Sequence, residues 1–128
     1  MTRTLPHLAA GVILAALLVA IVACVPQSTL PSDCNAASVA RSATLSNGGL
    51  APDGFDVCKG QTVTITIKVQ VSGALHLHGY DDQVPEMPVA PGDVAKLTFK
   101  ASRSGQFPLE LHRDADEIDL AILTVHEH

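Results

Sequence analysis

Gln61-Thr62-Val63-Thr64-Ile65-Thr66-Ile67-Lys68-Val69-Gln70-Val71 decides the fold. Val63, Ile65, Ile67, Val69 and Val71 alternate with Thr62, Thr64, Thr66, Lys68 and Gln70. A period of two places the aliphatic set on one face of an extended chain and the polar set on the other, so the segment reads as a strand with one buried and one wet side. Ser72-Gly73 breaks it. Residues 74–80 predict a second strand, with Leu75 and Leu77 opposite His76 and His78. Residues 81–92 hold Pro85, Pro88 and Pro91 and read as a loop or irregular edge. Residues 94–101 predict a third strand, with Ala95, Leu97 and Phe99 facing in. After the turn Ser102-Arg103-Ser104-Gly105, residues 106–112 bring Phe107, Leu109 and Leu111 together. An acidic loop follows over 113–117, and 118–125 reads as the closing strand. Upstream, 35–54 is rich in Ala, Ser, Asn and Gly with weak periodicity, which predicts a short strand or irregular structure. Short strands separated by turn residues imply an all-β, Greek-key β-sandwich.

The N-terminus has a different character. Arg3 precedes an apolar run over 8–25 that contains no charge, the order of a secretory signal. The run ends in Ile21-Val22-Ala23-Cys24, which resembles the lipobox read by bacterial lipoprotein signal peptidase. The sequence therefore divides into a signal peptide (1–23), a Pro- and Ser-containing tether that begins at the lipidation site Cys24 (24–33), and a single domain (34–128). A lone transmembrane helix is the alternative, but no Lys or Arg cluster follows Cys24 to stop transfer. The expected location is the cell envelope, outside the cytoplasm, with the membrane as partner through the anchor.

All thirteen acidic residues lie after Cys24, and the chain carries a formal charge of −5. No basic run exists, so nucleic acid is excluded as a partner. Cys34 and Cys58 form an even pair in an exported chain, and a disulfide between them would contribute roughly 3 kcal/mol. A thiolate metal site is the alternative, with the two cysteines far apart and near no histidine.

The candidate site residues are histidines. In His76-Leu77-His78 the two imidazoles lie on one face of a strand, their Cα atoms about 6.5 Å apart, so both can close on one metal ion while Leu75 and Leu77 fill the core. Two polar residues on a solvent face would produce the same spacing. His112, at a strand end, is expected to join them if strand ends meet at one pole of the sandwich. Three imidazoles suit copper(II) or zinc. Met87, in Pro85-Glu86-Met87-Pro88, offers a thioether that would favour copper(I). His126 and His128 form a second H-x-H, read first as a solvated, fraying tail.

Residues 57–125 resemble a cupredoxin-type domain. The matching stretches are Val57-Cys58-Lys59-Gly60-Gln61-Thr62-Val63, His76-Leu77-His78-Gly79-Tyr80-Asp81, Pro91-Gly92-Asp93, and Gly105-Gln106-Phe107 through Glu110-Leu111-His112. The H-x-H-G-Y-D block resembles a subgroup of bacterial cupredoxin-like proteins. The resemblance implies a copper-binding sandwich, but one departure matters. A blue-copper centre needs a cysteine thiolate in the late loop, and residues 113–119 contain no Cys, His or Met. The expected site is a pale, nitrogen-dominated copper site built on His76, His78 and His112, with Met87 as a further candidate and zinc possible. The role expected is copper handling rather than catalysis. The alternative from another class is a metal-free interaction module docking on a membrane-associated partner. An enzyme using Asp81, Asp82 or Glu110 as a base has no pairing in the spacing to support it.

Overall fold

The computed structural model describes residues 29–128. The expected signal peptide, the lipidation site Cys24 and the first part of the tether lie outside the described residues.

Nine strands follow one another along the chain: β1 (Ser38–Ser46), β2 (Gly49–Ala51), β3 (Gly54–Cys58), β4 (Thr62–Val69), β5 (Gly73–Leu77), β6 (Met87–Val89), β7 (Val94–Lys100), β8 (Gly105–Arg113) and β9 (Asp116–His126). They form a four-stranded sheet ordered β2-β1-β4-β7 and a five-stranded sheet ordered β3-β9-β8-β5-β6. The chain passes repeatedly between the sheets, which pack face to face as an all-β sandwich. Most neighbours are antiparallel, but β1 runs parallel to β4 and β3 runs parallel to β9. Among the described residues no helix is long and apolar enough to cross a membrane.

The alternation of the 61–71 segment is realised in β4. Val63, Ile65 and Ile67 are fully buried, and their partners Phe99, Leu97 and Ala95 on β7 are buried beside them. Leu75 and Leu77 of β5, Leu109 and Leu111 of β8, and Leu123 and Val125 of β9 close the core from the other sheet. Burying each such side chain contributes about 1.5–3 kcal/mol. Tyr80 falls just past β5 rather than inside it, because Gly79 turns the chain with φ +80°. The Tyr80 ring drops into the core against Phe99 and Phe107, at centroid distances of 4.6 and 4.9 Å.

The expectation for 35–54 is corrected. β1 is a nine-residue strand with Val39, Ala43 and Leu45 buried. Its inward phase also holds Arg41, whose guanidinium reaches the Asp33 carboxylate at 3.0 Å and the Asp56 carbonyl at 2.8 Å instead of entering the core. Small residues and a cation at inward positions blur the period. The 81–92 segment is irregular as expected, apart from the short edge strand β6.

Cys34 and Cys58 are joined by a disulfide, with their Cα atoms 5.2 Å apart. The thiolate alternative therefore falls, since each sulfur is bonded to the other. Gln61 completes the seam. It is the buried polar residue at this point, and its amide accepts from the Cys58 N–H at 2.8 Å and donates to the carbonyls of Asp33 and Ala36 at 2.7 and 3.0 Å.

Candidate metal centre

β5 and β8 are neighbours in the five-stranded sheet, and their register builds the site. Leu75 faces Leu111 and Leu77 faces Leu109, which sends all four side chains into the core. The residues between them must then point outward. His76 lies opposite Glu110, and Ala74 lies opposite His112, so His76 and His112 are diagonal neighbours across the strand pair. His78 follows β5, where its N–H still bonds to the Pro108 carbonyl at 2.9 Å and keeps the strand direction. The side chains of His76, His78, Glu110 and His112 each bring one potential ligand atom within 4.8 Å of all the others.

Two glycines permit this approach. At Gly73, which begins β5, a Cβ would sit 2.9 Å from the His112 carbonyl oxygen, so no side chain fits while β5 lies against β8. At Gly79, immediately after His78, positive φ and the nearby Phe107 ring both demand glycine. A register shift in the β8–β9 pairing leaves Leu120 of β9 without a partner between Ala121 and Asp119, while β8 keeps its alternation through Leu109, Glu110 and Leu111. The bulge changes the phase of β9, where Leu120 and Ala121 are both buried, and leaves Glu110 outward by the alternation of β8 alone.

The hydrogen bonds are organised around carboxylates. Glu110 Oε2 lies 2.7 Å from His78 Nε2 and 3.3 Å from His112 Nε2. His112 Nδ1 lies 3.0 Å from Glu86 Oε1, and His76 Nε2 contacts Asp81 Oδ1. A carboxylate only accepts, so the ring nitrogen facing Asp81 carries the proton on His76. His76 Nδ1 is then left with its lone pair, and it is the buried polar atom without a hydrogen-bond partner among the described residues. Metal-binding histidines characteristically hand their other ring N–H to a carboxylate in this way. Asp81 and Glu86, both from the loop between β5 and β6, supply that support for His76 and His112.

Protonation follows the same contacts. The hydrogen bond from His78 holds the Glu110 carboxyl below its ordinary range; burial opposes this, and His112 assists it. Burial works against charge on His112, but hydrogen bonds to Glu110 and Glu86 outweigh it and raise its pKa. The His76 contact lowers the pKa of Asp81. Glu110 is sheltered at 13% side-chain exposure, while His78 is 44% exposed, so the cluster opens to solvent on the His78 side. Carboxylates surrounding three imidazoles create a negative local field that favours a cation.

The sequence expectations resolve unevenly. His76, His78 and His112 come together, but not at a pole where strand ends meet. His112 lies within β8, and the cluster sits on the outer face of the sheet. Met87 is placed elsewhere. It pairs with Leu75 in β6, shares that residue's inward face, and packs against the core. The thioether is therefore corrected from candidate ligand to packing residue. His126 is not part of a frayed tail: it ends β9, pairs with Cys58, and its Nε2 lies 2.7 Å from Asp56 Oδ1. His128 is exposed. Glu110 was not singled out as a ligand, although its outward position between Leu109 and Leu111 is visible in the alternation of β8.

No family model and no curated protein sequence matches the chain. Solved structures do match in shape. The metal-binding domain of the Streptococcus pneumoniae D39 Cu(I)-exporting P-type ATPase CopA, with Cu(I), has 12% identity and a TM-score of 0.54 over 72% of this chain and 89% of that domain. A laccase from Pediococcus acidilactici has 19% identity and a TM-score of 0.57 over 76% of this chain and 28% of its own. A blue copper oxidase from Nitrosomonas europaea has 16% identity and a TM-score of 0.55, over 70% of this chain and 39% of the oxidase. The chain thus spans well under half of the oxidases it matches. At these identities the likeness establishes architecture, and the architecture is a cupredoxin-like β-sandwich.

Proposed function

We propose that this is an extracytoplasmic, lipid-anchored copper-binding protein that takes up and hands on copper rather than transforming a substrate. The observation that carries the reading is the convergence of His76, His78, His112 and Glu110 on the outer face of one sheet. The unpartnered, buried Nδ1 of His76 supports it, because such an atom is unfavourable unless something occupies its lone pair. Three imidazoles and one carboxylate suit a divalent ion, and copper binds such donors more tightly than zinc. The cupredoxin-like neighbours in shape are copper proteins by name, which favours the same metal. The Cys34–Cys58 disulfide agrees with an oxidising compartment. The anchor rests on the Ile21-Val22-Ala23-Cys24 motif, and Cys24→Ser should abolish labelling by radioactive palmitate.

The direct test is calorimetric titration of the protein with Cu(II) and Zn(II). The expected result is one Cu(II) per chain, bound more tightly than Zn(II), without the intense visible absorption of a thiolate-ligated centre. A protein that binds neither ion would instead be a metal-free module docking on a membrane-associated partner. The carboxylate held by each imidazole favours that second reading, since the cluster already forms a hydrogen-bonded network.

A further inference from the structure

The donor atoms of the cluster suggest which oxidation state of copper it holds. Imidazole and carboxylate are nitrogen and oxygen donors, whereas Cu(I) is selected by thiolate and thioether sulfur. Sulfur is kept away from this face among the described residues. Cys34 and Cys58 are bonded to each other at the β3 side of the sheet, two strands from β8 and three from β5. Met87 is in β6, directly beside β5, yet its register sends it to the core with Leu75. In its place on the outer face stands Glu110, sheltered, anionic, and hydrogen-bonded to two of the three imidazoles. An anionic oxygen donor at the centre favours the doubly charged ion over the singly charged one by simple electrostatics.

We infer that the site discriminates by oxidation state, holding Cu(II) and releasing copper when it is reduced, with Glu110 as the residue that sets the preference. This rests on the copper reading above. On release, Cu(II) held by these residues would take one electron from an external one-electron donor of the ascorbate class, Cu(I) would leave for a sulfur-rich acceptor, and protons from solvent would return to the ring nitrogens. The imidazoles and Glu110 then regain their mutual hydrogen bonds. A neighbour in shape carries Cu(I), but fold does not fix ligand chemistry.

The test uses the full chain loaded with one equivalent of Cu(II), followed by electron paramagnetic resonance. Ascorbate is added in the presence of a chromophoric Cu(I) chelator, and the affinities for the two ions are measured separately by chelator competition. The expected result is complete transfer of copper to the chelator on reduction, with Cu(II) bound at least about 100-fold more tightly than Cu(I). Relative to aqueous copper, that ratio corresponds to a potential lowered by about 120 mV. Glu110→Gln should weaken Cu(II) more than Cu(I), and Glu110→Met should invert the preference. Equal or tighter retention of Cu(I) by the unaltered protein would overturn the inference while leaving copper binding intact. If that retention were lost in Met87→Leu, the thioether would be identified as the swinging ligand. Failure to bind copper in either state would remove the proposed function and this inference together.

Discussion

The molecule carries the H-x-H pattern twice, and the two copies have different surroundings. His76 and His78 lie beside β8, whose outward residues Glu110 and His112 meet them across the strand pair. His126 ends β9 beside β3, with His128 two residues beyond the strand, and the residue opposite His126 is the disulfide cysteine Cys58. In the first region a strand pair gathers three imidazoles around one carboxylate. In the second, His126 is tied to Asp56, and Lys59 is paired with Glu127 at 2.9 Å. The second region is a latch that fastens the C-terminal segment to β3 and its end. The difference teaches that spacing along one strand makes a pair of ligands available, while the neighbouring strand decides whether they become a site.

The largest expected effect separates the two regions outright. His76→Ala combined with His78→Ala should lose measurable Cu(II) binding in calorimetric titration. Binding retained by that variant and lost in a His126→Ala, His128→Ala variant would transfer the site to the latch. The converse applies to folding. Replacing Cys34 and Cys58 together by Ser should lower stability by about 3 kcal/mol in denaturant unfolding, by freeing the unfolded chain. Copper affinity should stay unchanged, since the disulfide and the cluster occupy different flanks of the sheet.

Next come the supporting carboxylates. Asp81→Ala and Glu86→Ala should each weaken Cu(II) about 10–100-fold, the usual consequence of losing a histidine's outer partner. An unchanged affinity would mean that the β5–β6 loop merely covers the face. Acidity sharpens the comparison further. His112 has a raised pKa, so protons compete for its ring at higher pH than for an ordinary histidine, and copper affinity should fall as pH drops through that range. The metal-free fold responds with the opposite sign. A raised histidine stabilises the folded state fully below its ordinary value of 6.5, and this contribution is lost as pH rises through the raised value. Glu110, being lowered, contributes fully above its ordinary value of 4.5 and loses its contribution as pH falls through the lowered one. Thermal unfolding of the metal-free protein should therefore show the cluster at its most stabilising between 4.5 and 6.5, where copper binding is already weakening. The smallest effect belongs to the latch histidine. His126→Ala should change stability by less than about 1 kcal/mol, because its partner Asp56 is largely exposed, and should leave copper affinity alone.

Much of the sandwich was legible because β4, β7 and β8 place aliphatic or aromatic residues at alternate positions, so the period of two survives; in β9 it switches phase at the buried pair Leu120 and Ala121. β1 was not legible as a long strand, since Arg41 and Ala43 occupy its inward phase. The histidine pair was legible for the same reason as the strands: residues two apart share a face. The rest of the site depends on register between β5 and β8, which are separated by the intervening β6 and β7, and no local pattern encodes that pairing. Met87 shows the consequence. Nearness in sequence to His78 suggested a ligand, whereas its pairing with Leu75 turns it inward. His112 was placed at a strand end because the acidic stretch after it reads as a loop; β8 in fact runs on to Arg113, and β9 begins at Asp116.

The covalent link between Cys34 and Cys58 also has a mechanical meaning. The segment between the two cysteines, containing β1, β2 and most of β3, forms a closed loop with a sequence separation of 24. A pull applied to the chain upstream of Cys34 passes through the sulfur bridge into Cys58 and bypasses that segment. β1 can then not be peeled from β4 by tension from the N-terminal side. Tension is delivered instead to the end of β3, which is held along its length to β9, the longest strand of the protein. Under such a pull the load would be taken up at one flank of the sheet, away from the histidine face on β5 and β8.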